Sequence, residues 1–404
     1  MSKILLITPG YYSEDIKIER SPVINYFARE WVKQGHSVIV YHVPAQFPSL
    51  VRMMARPFAR KLEAILNVSV NCDKVSEREY LDENVPVYRV PLSKIIPHSR
   101  YSKRQITYAV EKLLSYLSKK AFSPDVVISH FVNPGVEIMK ELKQRLDVPT
   151  CVVLHGEENA FNKLFGSQSS EYLMSVDIFA FRSKPIKERF EKNNGSVKKW
   201  FYCYSGVPDS FLVDVDVKRE YQFQNKFIYA GSLIRLKNVD KLIDGIVKEY
   251  TPSGDFSITV IGKGKEELTI MNKKESLCLT DSQLRYLGYL PREKVREEMK
   301  KADVFAMISS PEAFGLVYLE AMSVGTIPIA SRGEGFDGIL IDGYNGFLCE
   351  PGNSDELASI IEKIRNMKPK ELQTISDNAK QTARSMTDEA TAKDYIDNVF
   401  KYIN

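Results

Sequence analysis

Cysteine is scarce in this chain. The five cysteines, Cys72, Cys151, Cys203, Cys278 and Cys349, are odd in number, lie far apart and form no CxxC pair. That disfavours a disulfide framework or a zinc site and points to reduced thiols in a cytosolic protein. Long hydrophobic runs are missing as well. No stretch reaches the roughly 18 apolar residues that a membrane-spanning helix needs. The opening segment Lys3-Ile4-Leu5-Leu6-Ile7-Thr8-Pro9-Gly10 is too short in its apolar part for a signal peptide and reads as a first strand. Low-complexity tracts and short repeats are also lacking, which sets aside solenoids and disordered linkers as the main architecture.

What is present is an ordinary globular composition, 44% hydrophobic and 27% charged over 404 residues. That length predicts two domains, each able to bury its own core. The net charge of +4 hides an asymmetry: residues 1–205 carry 30 Lys and Arg against 21 Asp and Glu, and the remainder 26 against 31. A basic half joined to an acidic half suggests an anionic surface or acceptor for the first; ordinary drift in surface charge explains it equally well.

The pattern along the chain is apolar run, turn, amphipathic stretch, repeated. This is the βα alternation of a parallel sheet covered by helices. The first half has strand candidates at 3–8, 37–43, 125–130 and 149–154, and helical periodicity at 22–34, 104–120 and 183–192. Ser205-Gly206-Val207-Pro208-Asp209 closes it. The stretch 213–225 has no strong periodicity and is read as a linker. The alternation restarts at 226–231, with strands at 256–261, 284–287, 304–308 and 327–331 and helices at 237–249, 291–301, 315–324 and 353–366. The expected fold class is therefore α/β with two Rossmann-like doubly wound domains facing a cleft. The first spans 1–212 on the acceptor side and the second 226–387, and a final helix, 388–404, crosses back to the first domain. Ligands in such sheets bind beyond the carboxyl ends of the strands.

The densest chemical signal is Ser310-Pro311-Glu312-Ala313-Phe314-Gly315-Leu316-Val317-Tyr318-Leu319-Glu320-Ala321-Met322. A strand ends, a short loop holds Glu312, and a helix begins near Gly315. Amides at a helix N-terminus suit an anion, and Gly315 lacks the Cβ that would block its approach. Glu320 follows about one and a half turns later. Two such carboxylates also have a plain explanation, since a Glu in the first turn of a helix gains roughly 0.3–1 kcal/mol from the dipole.

Glu312-x7-Glu320, the following Glu-Ala-Met-x-x-Gly-x-Ile-Pro-Ile, and Asp342-Gly343-Tyr344-Asn345-Gly346-Phe347-Leu348 together resemble the signature region of retaining GT-B glycosyltransferases of the family 4 type. The resemblance is strongest over 284–352. It implies that Glu312 contacts hydroxyls of a donor sugar and that Glu320 holds the nucleotide ribose. It also implies that the amides of Phe314, Gly315 and Leu316 face the sugar and phosphate. Ala230-Gly231-Ser232-Leu233-Ile234-Arg235-Leu236-Lys237-Asn238 matches the segment that carries a lysine, and often an arginine, on the leaving diphosphate. Lys237 fits the lysine. Ser232 stands where the arginine is usual, and Arg235 is a candidate to replace it. A fixed cation there stabilises charge growing on the β-phosphate. Ile261-Gly262-Lys263-Gly264 resembles the family's turn near the nucleotide, and the backbone at Leu290 would read the base. In the first half, Gly10 would face the diphosphate. His155, in Leu154-His155-Gly156-Glu157, would contact the donor sugar or shape the acceptor site. The loop departs from the family at Glu19-Arg20-Ser21-Pro22, where Gly-Gly is common.

The resemblance thus implies a metal-independent hexosyltransferase with no cofactor, whose donor is a UDP- or GDP-linked sugar. A glycan or lipid-linked acceptor would fit a role in cell-envelope polysaccharide synthesis. The basic, apolar run Met53-Met54-Ala55-Arg56-Pro57-Phe58-Ala59-Arg60-Lys61-Leu62 is a candidate for contact with an anionic membrane surface, or an ordinary surface helix. The expected location is cytoplasmic, with peripheral attachment to the inner face of the membrane as an option. No nucleic-acid partner is expected. Two rivals are a nucleotide-sugar epimerase of the same fold and a non-catalytic nucleotide-sugar-binding subunit.

Overall fold

The computed structural model describes residues 1–16, 22–55, 74–96, 99–157, 159–212, 221–250 and 254–403. The loop at 19–21, positions 56–62 of the basic run, Cys72 and the first part of the expected linker therefore lie outside the described residues. Two compact units form. One holds Met1–Arg182, Ile186–Cys203 and Ala392–Asn404, and the other Ser183–Pro185 and Tyr204–Thr391.

The first unit is built on β1 (Lys3–Thr8), β2 (Ser37–His42), β3 (Ala45–Gln46), β4 (Arg78–Asp82), β5 (Val85–Arg89), β6 (Leu92–Ser93), β7 (Val126–His130), β8 (Thr150–Leu154), β9 (Ile178–Phe181) and β10 (Trp200–Tyr202). Eight of them form one sheet in the order β10-β9-β8-β7-β1-β2-β5-β4, and β3 pairs with β6. All neighbours in the large sheet run parallel except β4 and β5. The central strands are largely apolar, as expected of parallel strands covered on both faces; β1 and β7 are buried from Ile4 and Val126 onward. The helix Lys103–Lys119 starts from a Ser102 capping box closed by Gln105. The closing helix, Asp388–Ile403, gives this unit Ala392, Tyr395, Ile396 and Val399, which pack with Ile4, Phe27 and Trp31. Trp31 Nε1–H donates to the Ala392 carbonyl at 2.9 Å, so the indole is buried without losing its hydrogen bond.

The second unit carries β11 (Lys226–Ala230), β12 (Ser257–Ile261), β13 (Leu284–Tyr286), β14 (Val304–Met307), β15 (Ile327–Ser331) and β16 (Phe347–Cys349). They form one parallel sheet in the order β13-β12-β11-β14-β15-β16. The chain builds outward from β11 to β13, then returns to place β14 on the other side of β11. The switch point of this sheet therefore lies between β11 and β14, where loops diverge and leave room for a ligand.

Three segments differ from the sequence expectation. Residues 204–212 pack with the second unit: Val207 and Phe211 are buried in its core, and the Val207 N–H donates to the Met386 carbonyl. The described end of the expected linker is also anchored there, since Tyr221 Oη donates to the Asp303 carbonyl and the Gln224 and Lys226 amides donate to Asp303 Oδ2. The helix expected from 237 begins at Val239, because Asn238 adopts a left-handed conformation with φ 51°; Arg235–Lys237 form a separate 3-10 turn. Among the described residues, no helix is long and apolar enough to cross a membrane, and Cys151, Cys203, Cys278 and Cys349 are free thiols.

Candidate active site

Glycine sets the shape of the loops beyond β11 and β12. Gly262 sits at φ 142°, and a Cβ there would lie 1.8 Å from the Gly231 carbonyl oxygen; a Cβ on Gly264 would lie 2.1 Å from that of Leu233. The loops are locked by the Gly231 N–H donating to the Ile261 carbonyl and the Leu233 N–H to the Lys263 carbonyl. The Gly262 N–H reaches the Gly288 carbonyl, which places Leu290 on the adjoining loop beyond β13. Ser232 is exposed, and its carbonyl accepts the Tyr229 hydroxyl at 2.9 Å.

The loops beyond β11 and β14, on either side of the switch point, meet directly. Lys237 Nζ lies 2.5 Å from Glu312 Oε2, and both side chains are largely shielded. The Ser309 hydroxyl donates to the same oxygen at 3.3 Å. The Ser310 N–H donates to the Leu236 carbonyl, and Asn238 Nδ2 to that of Ile308. Lys237 is thus held against the Glu312 loop from both sides. Arg235 is exposed on the same turn and makes no ion pair among the described residues.

Glu334 is a residue the sequence reading missed. It is buried beyond the end of β15, and both its oxygens serve the Glu312 loop: Oε1 accepts the Ser310 hydroxyl at 2.7 Å and Oε2 the Glu312 N–H at 2.8 Å. The Gly335 N–H in turn donates to the Glu312 carbonyl. The signal was there in Gly333-Glu334-Gly335, a carboxylate between glycines just after an apolar strand.

Gly315 caps the helix Leu316–Ser323 at φ 83°; a Cβ would lie 2.5 Å from the Tyr318 ring. The first amides of a helix have no acceptor within it, so this end carries positive partial charge. Phe314 is buried and Leu316 half-buried at that end. Glu320 lies within the helix, buried, and its Oε1 accepts Arg292 Nε at 2.6 Å. Burial raises the carboxyl above its ordinary value and outweighs the arginine, which lowers it. Among the described residues, no three His, Cys, Asp or Glu side chains gather as a metal site.

Residues 214–382 match the family model for glycosyl transferases group 1, and this stretch includes Lys237, Glu312 and Glu320. The chain carries a group 1 glycosyltransferase domain. The chain is 28% identical over 324 residues to an uncharacterized glycosyltransferase of Methanocaldococcus jannaschii, covering 78% of this chain and 84% of that one. It is 26% identical to the alpha-monoglucosyldiacylglycerol synthase of Acholeplasma laidlawii over 58% of this chain and 61% of that enzyme. Among solved structures, HepE of Anabaena in complex with UDP aligns with a TM-score of 0.68 and 16% identity, over 99% of this chain and 100% of that one. The fold is GT-B.

In the first unit, the expected residues also stand at carboxyl ends of strands. Gly10 follows β1, and its N–H donates to Thr8 Oγ1 at 3.0 Å. His155 follows β8, stacks on Phe131 with ring centroids 4.3 Å apart, and places Nε2 2.9 Å from His130 Nδ1.

Proposed function

We propose that the protein transfers a sugar from a nucleoside-diphosphate sugar to an acceptor hydroxyl with retention of anomeric configuration and without a metal ion. The observation that carries this reading is the Lys237–Glu312 pair, set at the switch point beside the Gly315 helix end. Lys237 would stabilise the diphosphate as negative charge grows on it, with the Gly315 and Leu316 amides supplying further positive potential. Glu312 would hold hydroxyls of the donor sugar, and Glu320 the ribose. Gly231, Ser232, Gly262 and Leu290 would line the nucleotide, with Arg235 free to swing toward the phosphates. His155 and Gly10 would act on substrates from the first unit.

In the proposed reaction, the bond between the anomeric carbon and the β-phosphate oxygen breaks as the acceptor oxygen attacks the same face. The acceptor proton passes to the departing phosphate oxygen. UDP or GDP is the proposed leaving group. A lipid-linked or glycan acceptor suits the basic charge of residues 1–205, and the relative named for a glucosyldiacylglycerol product supports the lipid alternative. Incubation with UDP- and GDP-sugars, with and without lipid-linked acceptors, followed by NMR of the anomeric proton of the product, tests the reading. Transfer with retention is expected. Inversion would contradict the proposed chemistry, and conversion of the nucleotide sugar with no acceptor present would favour an epimerase.

A further inference from the structure

Beneath the His155 loop, the first unit holds a chain of three hydrogen-bonding side chains. Tyr395 Oη lies 3.3 Å from His130 Nε2, and His130 Nδ1 lies 2.9 Å from His155 Nε2. Tyr395 is 1% exposed and His130 0%, whereas His155 is partly open. Among the described residues, His130 is the only hydrogen-bond partner of the Tyr395 hydroxyl, and His155 Nδ1 is neither bonded nor buried.

This arrangement has a direction. Burial pushes the Tyr395 phenol well up, so it keeps its proton. Burial also drives His130 down to about 3, and buried Arg182 adds to the effect, so the imidazole is neutral, with one N–H and one lone pair. A buried phenol without an acceptor would lose its hydrogen bond and remain unpaired, which is unfavourable. The acceptor within reach is His130 Nε2, which leaves the His130 proton on Nδ1, directed at His155 Nε2. That nitrogen must then be the acceptor. His155, which burial and His130 also hold well below its ordinary value, carries its proton on Nδ1. The stack on Phe131 fixes the ring plane.

We propose that Tyr395 and His130 are positioning residues that hold His155 in its Nδ1–H form, and that this N–H donates to a hydroxyl of the sugar substrate. The second clause rests on the transferase reading; the first does not.

The test is the long-range 1H–15N spectrum of the full-length protein with 15N-labelled histidine, with His130 and His155 signals assigned from His130→Gln and His155→Asn spectra. The tautomer of a histidine is read directly from its two nitrogen shifts. His130 and His155 should both show Nδ1–H in the wild type, and Tyr395→Phe should convert His155 to a mixture or to Nε2–H. An Nε2–H form of His155 in the wild type, or an unchanged spectrum in Tyr395→Phe, would overturn the relay. These spectra are recorded without substrate, so a protein that transfers no sugar still answers. For the second clause, an Asn amide occupies the place of Nδ1–H and a Gln amide that of Nε2–H. His155→Gln should raise the donor KM at least tenfold more than His155→Asn does. Equal effects of the two would contradict donation from Nδ1.

Discussion

Glu312 and Glu320 are two carboxylates eight residues apart with opposite surroundings. Glu312 sits in a loop, paired with Lys237, touched by Ser309 and suspended from Glu334 through its own amide. Glu320 sits on a helix, enclosed, with Arg292 as its cation and the Phe211 ring against that guanidinium. The loop carboxylate is held by groups from beyond three strand ends at the switch point, and in the proposed reaction it would hold the donor sugar. The helical one is fixed by packing, and in the proposed reaction it would hold the ribose. The comparison teaches that a sequence motif can join residues whose physical situations are different.

The largest expected effect is at Glu312. Glu312→Ala should reduce transfer below detection while the unfolding temperature stays near that of the wild type; retained activity would remove Glu312 from the site. Lys237→Ala should cost about 10²–10³-fold in kcat, the usual loss when one fixed charge facing the leaving group is removed; a change confined to KM would contradict that role. Glu334→Gln replaces one acceptor of the Glu312 loop with a donor, and should lower kcat by roughly 10-fold or more through misplacement of Glu312. Full activity in that variant would show that the loop holds without it.

The smallest expected effect is on stability at Glu320, and its sign follows from burial. The folded state binds the Glu320 proton more tightly than the unfolded chain, so this group favours folding at low pH and opposes it once ionised. Glu320→Gln should therefore raise the unfolding temperature at pH 7 by roughly 2 °C, the scale of a change below 1 kcal/mol in a domain of this size. The gain should fade as the pH falls through the raised value toward the ordinary 4.5. A loss of stability at pH 7 would mean that the Arg292 pair outweighs the burial.

Much of this was legible in the sequence because parallel strands covered on both faces read as unbroken apolar runs. Val126–His130, Ile327–Ser331 and the strand before Glu312 were found that way. The hairpin β4–β5 was not, since Arg78–Asp82 is an exposed edge strand of mixed polarity and Val85–Arg89 contains Pro86. The candidate site was legible as residues but not as contacts. Lys237 and Glu312 are 75 positions apart, and Glu334 lies 22 beyond Glu312. No local pattern records a pairing made by two loops at a switch point. The tautomer of His155 was invisible for the same reason, because Tyr395 lies 265 positions from His130.

The division of labour between the two carboxylates is tested most directly by ligand-induced thermal shifts of the wild type, Glu312→Ala and Glu320→Gln, with the nucleoside diphosphate alone and with its sugar conjugate. A ligand at about 100 times its Kd stabilises by roughly 2.7 kcal/mol, which such a measurement resolves. Glu312→Ala should keep the shift given by the nucleoside diphosphate and lose the increment given by the sugar, whereas Glu320→Gln should lose the former. Equal losses of both shifts in the two variants would contradict the separation of roles.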